Sequence, residues 1–204
     1  MNNPIRKLPM YTTPTPGKLF LICAPSGAGK TTLVLKALEE LKDLPIYKVC
    51  TYTTKPKGNG EIQGKDYHFL SVQEFEGLID QGFFLEWSKE YDHYYGSPVS
   101  IKQGLAEGNS YFMIVDRAGV RSITKIIPES LSIWIDVSSI DLLKKRLFER
   151  NRENNAIILK RLEKAQNEVQ EELLNPLCIE HIVNDDIEIS VQKLVAFVRE
   201  KLKK

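Results

Sequence analysis

The sequence has 204 residues, with 28 Lys and Arg against 27 Asp and Glu, and a formal net charge of +1. This length suits one domain with inserted segments, and the balanced charge suggests neither a large nucleic-acid-binding surface nor an acidic tail, so any cationic site must be local. The apolar runs are far shorter than the roughly 20 residues that span a bilayer, and no apolar signal segment opens the chain, so we expect a soluble cytoplasmic protein without membrane contact.

After a proline-bearing tail, short apolar strands alternate with amphipathic helices. Residues 1–17 contain four prolines among polar residues, so we expect a flexible tail. Helices are predicted from Lys30 onward and at the C-terminal end, where apolar residues recur at helical spacing. This alternation predicts an α/β fold with a parallel sheet flanked by helices. The predicted strands of that sheet are Leu19–Cys23, Tyr111–Val115, Ser132–Val137 and His181–Val183.

Residues 51–98 are rich in aromatics, and glycine-containing turns separate short strand-like pieces such as "FFLEW" and "YDHYYG". This composition predicts a small mixed α/β insertion that is partly antiparallel, with a helix that begins at a capping box from Ser71 to Glu74. The polar stretch "NRENN" at 151–155 is either a solvated loop or a mobile lid. We therefore divide the chain into a tail (1–17), a core (18–50, 99–140 and 166–204), an insertion (51–98) and a lid region (141–165).

The cysteines and histidines carry no pattern of a metal or catalytic site. Cys23, Cys50 and Cys178 lack zinc-site spacing, and their odd number does not suit a disulfide framework. We interpret all three as structural thiols, and we expect surface or structural roles for the histidines.

The stretch "APSGAGKTT" joins the first predicted strand to the first predicted helix. It matches the phosphate-binding pattern GxxxxGKS/T at every fixed position except the first, where Ala24 replaces glycine. In such a loop, backbone N–H groups and the helix dipole hold phosphates, Lys30 reaches the β- and γ-phosphates, and Thr31 offers its hydroxyl to Mg²⁺. The alternative is an ordinary strand-to-helix turn that uses Gly29 for flexibility. We favour a nucleoside triphosphate site made of Ala24, Pro25, Ser26, Gly27, Ala28, Gly29, Lys30, Thr31 and Thr32.

Several further motifs stand in a recognisable order after this loop, namely "GKDYHF", "FLEW", "YYGS", "KKRLFER", "LKRLEKAQ" and "IVNDD". With them the chain resembles the guanylate kinases, which transfer the γ-phosphate of ATP to GMP, from about Lys18 to the C-terminus. The resemblance implies a P-loop NTPase fold with a GMP-binding insertion and a helical lid. It also implies ATP and GMP or dGMP as substrates, Mg²⁺ as cofactor, and Asn184 of "IVNDD" as a further ATP-binding residue.

The resemblance also implies a guanine site centred on Glu86 of "FLEW". Its carboxylate can accept hydrogen bonds from the N1–H and the amino group of guanine, whereas adenine would leave the buried charge unpaired, at a cost of about 1–3 kcal/mol. Two tyrosines match residues that bind the GMP phosphate, although aromatic packing is the alternative for each. The matching set is Thr51, Lys55, Tyr67, Glu86, Tyr95, Gly96, Ser97 and Asp116, of which Asp116 also lies near the metal.

Three arginines match residues that bind the phosphates when the lid closes. Arg146 and Arg150 are four residues apart on one predicted helix and therefore share a face, and Arg161 is the third. A solvated cationic face is the alternative for any one of them. Together with Lys30 they form the predicted catalytic set.

The chain departs from the family in the segment that usually reads "TTRxPRxGE". Here it reads "TTKPKGNGE", with Lys55 at the first arginine position and Gly58 at the second. Lysine keeps the charge but loses the planar fork of arginine, and glycine loses the contact. One lost contact of about 1.5–3 kcal/mol weakens GMP binding by about tenfold to a hundredfold unless Lys57 replaces it. Ile114 also stands where the family tends to have an acid.

These departures keep two other functions open. One is a catalytically silent guanylate-kinase-like interaction module, against which the complete phosphate loop argues. The other is a kinase for a different phosphorylated acceptor. The sequence is compatible with a monomer or a homodimer.

Overall fold

The computed structural model describes residues 15–90, 92–149 and 155–203. Most of the predicted tail (1–14) and most of the predicted lid loop (151–154) lie outside these ranges, as does Arg150. In chain order the elements are β1 (Leu19–Cys23), α1 (Lys30–Glu40), β2 (Ile46–Lys48), β3 (Thr51–Thr53), β4 (Tyr67–Phe69), α2 (Val72–Asp80), β5 (Phe84–Glu90), β6 (His93–Pro98), α3 (Ile101–Ala106), β7 (Ser110–Ile114), α4 (Arg117–Ile126), β8 (Leu131–Asp136), α5 (Ile140–Glu149), α6 (Asn155–Leu174), β9 (Glu180–Val183) and α7 (Ile187–Leu202).

The larger sheet has five parallel strands in the order β2-β7-β1-β8-β9. All five residues of β1 are buried, because the strand lies in the middle of the sheet with helices on both faces. Phe20 and Ile22 pack with residues of α1 and α7 in one core cluster, whereas Leu19 and Leu21 pack with residues of α3 and α4 in another. The predicted α/β class and parallel sheet are confirmed.

Three predicted strands of this sheet are shifted by one residue at one or both ends. Strand β7 begins at Ser110 because Ser110 pairs with Ile46 of β2, a short strand that the apolar pattern does not predict. Strand β8 begins at Leu131, which pairs with Phe20, and β9 begins at Glu180, which pairs with Ile133. Strand ends thus depend on neighbouring strands as well as on local hydrophobicity.

The smaller sheet has four strands in the order β4-β3-β6-β5, all drawn from residues 51–98. Strand β3 pairs parallel with β4 and antiparallel with β6, and β6 pairs antiparallel with β5. Helix α2 begins at the predicted capping box, in which the Ser71 hydroxyl accepts from the Glu74 N–H and the Glu74 carboxylate accepts from the Ser71 N–H. Phe75 of this helix stacks on Phe84 and Tyr94 of the sheet. One face of the smaller sheet is therefore covered by aromatic packing.

Helix α6 is continuous from Asn155 to Leu174, so the expected lid boundary at 165 lies inside a helix. The C-terminal end of the helix is fixed to α4 by Arg117, whose side chain is buried. Arg117 forms an ion pair with the buried Glu172 and donates through Nη2 to the carbonyl of Asn175 at 3.0 Å. Within the described residues, no helix is long and apolar enough to cross a membrane.

Candidate nucleotide-binding site

The loop between β1 and α1 needs glycine at two positions. Gly27 and Gly29 have φ angles of +92° and +90°, in the left-handed region that side-chain-bearing residues rarely adopt. A Cβ atom at Gly29 would also lie 2.8 Å from Nδ2 of Asn184. Ala24, at the position where the pattern has glycine, has no positive φ, so alanine is accommodated there.

Lys30 begins α1 and folds back over this loop. Its Nζ donates a hydrogen bond of 2.7 Å to the carbonyl of Ala24. Burial of the ammonium group lowers the pKa of Lys30, and the negative charges of Glu168 and Glu90 oppose that shift. The loop therefore presents a cation beside the main chain of the β1–α1 turn, as a triphosphate site requires.

Three other predicted residues, from α5, α6 and the segment after β9, lie near the same loop. The buried Asn184 donates through Nδ2 to the carbonyl of Ala28 at 2.7 Å, and Arg161 of α6 donates through Nε to the Ser26 hydroxyl at 3.0 Å. Arg146 of α5 donates through Nη2 to the carbonyl of Asp185 at 3.1 Å. Asn184 and Arg161 thus contact the loop directly, whereas Arg146 contacts the residue that follows Asn184.

A cleft of about 410 Å³ opens beside the loop. Its lining includes Gly27, Gly29 and Thr32 from the loop and the start of α1, together with Arg146 and Asn184. Thr31 is exposed on the first turn of α1. The cleft therefore borders the loop on which phosphates would lie.

The strand register of the smaller sheet brings most of the predicted acceptor residues to one face. Paired residues on neighbouring strands point to the same side of a sheet, as do residues two apart on one strand. The pairs here are Thr51 with Tyr67, Thr53 with Tyr95, Ser88 with Tyr95, and Glu86 with Ser97.

Gly96 lies on the opposite, aromatic face of that sheet. A Cβ atom at this position would lie 2.8 Å from the Phe84 ring and 2.9 Å from the Phe75 ring. The structure therefore gives Gly96 a packing role, and only its main chain is available to a ligand on the polar face.

Glu86 is a half-buried carboxyl group on the polar face, and its pKa is shifted. Burial raises the pKa of Glu86 to about 7, a hydrogen bond from the Ser97 hydroxyl to Oε1 at 3.0 Å opposes the shift, and the charge of Asp116 adds to it. Asp116 itself caps α4, because its Oδ1 accepts from the Gly119 N–H at 2.6 Å. Asp116, which follows β7 of the larger sheet, is therefore close enough to Glu86 of the smaller sheet for their charges to interact.

Lys55 and two tyrosines form the other end of the polar face. Lys55 Nζ lies 4.9 Å from the centroid of the Tyr67 ring and 2.5 Å from Oε1 of Glu61. Burial raises the pKa of Tyr67, and it raises the pKa of Tyr95 to about 12. Both phenols are therefore protonated donors at neutral pH, and they stand beside a cation as an anion site requires.

Comparison with known proteins identifies this arrangement, since a family model described as guanylate kinase matches residues 16–201. The chain belongs to the guanylate kinase family. It is 38% identical over 161 residues to a guanylate kinase of Idiomarina loihiensis, covering 78% of this chain and 77% of that protein. It is 36% identical over 185 residues to a guanylate kinase of Caldanaerobacter subterraneus, covering 89% and 86%. A crystal structure of guanylate kinase from Anaplasma phagocytophilum superposes with a TM-score of 0.77 at 25% identity, covering 94% of this chain and 89% of that chain.

This guanylate kinase has three further charged residues at the site that the sequence motifs do not single out. Lys164 of α6 forms an ion pair with Glu90 of β5 and lies 3.8 Å from Glu168. Lys164 and Glu168 are four residues apart on one helix, so their pairing follows from sequence spacing. The contact between Lys164 and Glu90 does not follow from sequence spacing, because these residues are 74 positions apart.

His68 and His181 lie away from these polar groups, whereas His93 pairs with Glu90 at the end of the same sheet face. His68 stacks on Tyr52 with ring centroids 4.3 Å apart, and the exposed His181 lies 3.6 Å from Glu172. Both contacts agree with the structural roles expected from the sequence.

Proposed function

We propose that this guanylate kinase binds ATP on the β1–α1 loop and GMP on the polar face of the smaller sheet, and transfers the γ-phosphoryl group directly between them. The single observation that carries the assignment is the half-buried carboxylate of Glu86, hydrogen-bonded to Ser97, on a sheet face that also carries Tyr67 and Tyr95. A carboxylate in this setting selects guanine because guanine offers two adjacent N–H donors.

The core segments bind ATP in this proposal, the insertion at 51–98 binds GMP, and the lid region at 141–165 closes over both. With phosphates on the loop and on Lys30, the adenosine of ATP extends into the cleft beside Thr32 and Asn184. The assigned acceptor contacts address the base and the phosphate, and none addresses the ribose 2′-hydroxyl, so dGMP is a second acceptor.

The chemistry needs no strong general base, since the acceptor oxygen of GMP is already anionic. The protein has to align two polyanions and neutralise the charge between them. The contacts of Lys30 and Arg161 with the loop support this role for both residues, and the position of Arg146 in the lining of the cleft supports it for Arg146. Arg150 belongs to the same proposed set. Closure of the lid excludes water, which would otherwise compete as acceptor.

Mg²⁺ is the proposed cofactor. It takes most of its ligands from substrate phosphates and water, with one or two protein oxygens. The exposed Thr31 at the start of α1 supports that role for its hydroxyl, and we propose an indirect contact for Asp116. Among the described residues, no group of three or more His, Cys, Asp or Glu could hold a metal ion by itself. Mg²⁺ supplies additional neutralisation of the phosphates when bound.

The proposal also covers the state of the protein in the cell. We propose a cytoplasmic enzyme that works as a monomer or homodimer without a membrane partner. The net charge of +1 supports the absence of a nucleic-acid partner.

An acceptor panel of GMP, dGMP, AMP, CMP and UMP, with ATP and magnesium, tests the assignment through ADP release. We expect turnover with GMP and dGMP only, and a large loss of GMP turnover in Glu86→Gln. The matched control is Glu107→Gln, because Glu107 is an exposed glutamate at the end of α3. Equal use of AMP and GMP, or unchanged GMP use by Glu86→Gln, would contradict the guanine assignment.

A further inference from the structure

Lys164 lies where α6 meets the polar face of the smaller sheet. Its Nζ forms an ion pair with Glu90 of β5, and the two side chains are 35% and 30% exposed. Lys164 is thus a cation carried by the helix that follows the lid loop, and it is held against the insertion. The motifs and the family resemblance assign no role to either residue.

Glu90 belongs to the face that carries the proposed acceptor site. Glu86, Ser88 and Glu90 alternate along β5 as half-buried residues, whereas Trp87 and Lys89 between them are exposed on the other side. The pairing of Ser88 with Tyr95 extends this face to the tyrosines. Glu90 therefore lies on the same face as Glu86, two positions beyond Ser88 along β5 and away from the guanine end of the site.

The electrostatics place Glu90 at the phosphate end. Burial raises the pKa of Tyr67 and Tyr95, and the negative charge of Glu90 adds to both shifts. Lys164 in turn is close enough to Lys30 to add to the effect of burial in lowering the pKa of that residue. Lys164 is thus within electrostatic range of the lysine of the ATP loop, and its partner Glu90 is within range of the tyrosines of the acceptor site.

We propose that Lys164 binds the phosphate of the acceptor nucleotide, and that Glu90 holds its ammonium group in place until that phosphate displaces it. This inference rests on the proposed function, since it takes the polar face as the GMP site. Lys164 would supply from α6 the positive charge that the loop at 55–61 lacks, because Gly58 stands where the family has an arginine. Lys57, the alternative source, is exposed on that loop.

The pairing has a consequence for affinity. The phosphate and the Glu90 carboxylate are both anions and compete for the same cation, so Glu90 weakens acceptor binding while Lys164 strengthens it. Removing Lys164 removes a ligand and also leaves the Glu90 charge unneutralised beside the phosphate. The two residues are therefore coupled, which a double-mutant cycle can measure.

The test compares GMP with guanosine, which lacks the phosphate, by calorimetric titration of the full chain. In Lys164→Ala we expect GMP affinity to fall by about tenfold to a hundredfold, with guanosine affinity unchanged. Alanine suits a helix, and Lys164→Arg keeps the charge and should keep most of the GMP affinity. Lys89→Ala is the matched control, because its ammonium lies over the Tyr94 ring, 5.2 Å from the centroid, on the opposite face.

Glu90→Gln completes the cycle. We expect it to tighten GMP binding in the parent chain, where it both frees Lys164 and removes a negative charge, and to tighten it less in Lys164→Ala, where it only removes the charge. Equal losses of GMP and guanosine in Lys164→Ala, or an unchanged GMP affinity, would overturn the inference while leaving parent turnover with ATP and GMP intact. A parent chain that binds neither GMP nor guanosine would overturn the proposed function as well.

Discussion

Ser97 and Glu86 face each other across two antiparallel strands, and the Ser97 hydroxyl donates a hydrogen bond of 3.0 Å to Oε1 of Glu86. Burial nevertheless raises the pKa of Glu86 to about 7, with the hydrogen bond opposing this shift and Asp116 adding to it. The group that selects guanine in our proposal therefore titrates near neutral pH.

Guanine binding should consequently depend on pH. Only the ionised Glu86 accepts from both N–H groups of guanine, so guanosine affinity should rise as pH increases from about 6 to about 8. Guanosine is the suitable probe because it carries no titrating phosphate. Glu86→Gln should abolish the dependence, and Ser97→Ala should move its midpoint to higher pH because the hydrogen bond that lowers the pKa is lost. A flat profile in the parent chain would count against a titrating Glu86.

The raised pKa of Glu86 also makes the stability of the folded protein depend on pH, and stability falls as pH rises, whereas guanosine affinity rises. The folded state holds the Glu86 proton more tightly than the unfolded state, whose pKa is near 4.5. The contribution of Glu86 to the free energy of unfolding therefore falls as pH rises from about 4.5 to about 7. Denaturant titrations of the parent chain and Glu86→Gln at both ends of this range should show the parent losing stability relative to the variant. A constant difference would exclude the linkage.

Asn184 should stabilise the ATP loop. Its Nδ2 donates to the carbonyl of Ala28, and alanine would leave that carbonyl unpaired in a buried setting, at about 1–3 kcal/mol. We expect Asn184→Ala to raise the KM for ATP more than the KM for GMP and to lower the Tm. Asn175→Ala, which changes an exposed side chain just after α6, is the control. Similar changes in KM and Tm in both variants would contradict a specific role of Asn184 at the ATP loop.

Gly96 should be required for packing of the smaller sheet. Gly96→Ala would push a Cβ atom into Phe84 and Phe75, so we expect a loss of about 1–3 kcal/mol in the free energy of unfolding. Gly77→Ala in α2 is the matched control, since its Cβ meets nothing within 4 Å and alanine should stabilise the helix by about 0.5–1 kcal/mol. Denaturant unfolding of the two variants measures both changes in the free energy of unfolding. An unchanged free energy of unfolding in Gly96→Ala would contradict the packing role.

Arg117 and Glu172 should be strongly coupled. Arg117→Ala leaves Glu172 as a buried, uncompensated charge and should cost about 3–5 kcal/mol of unfolding free energy. Replacing both residues with apolar ones of similar volume should cost less than the two single losses added together. A double-mutant cycle measured by denaturant unfolding gives the coupling, and additive losses would show that the pair is independent.

Local features of this protein follow from its sequence alone. The phosphate loop between β1 and α1, the capping box of α2 and the alternation of strands and helices each depend on residues a few positions apart. The hydrogen bonds and steric limits that specify them act within one short segment. The family resemblance added the identity of Glu86, Ser97 and the tyrosines, and the register of the smaller sheet then placed their side chains on one face.

Only the tertiary structure decided which distant segments meet. Strand β2 forms because β7 lies beside it, Gly96 faces α2 and not the polar face, and Arg161 reaches Ser26 across 135 positions. The pairing of Lys164 with Glu90 likewise requires the fold to bring α6 against β5. A sequence pattern records what a segment tends to form, whereas contacts between segments depend on how all of them bury their apolar faces together.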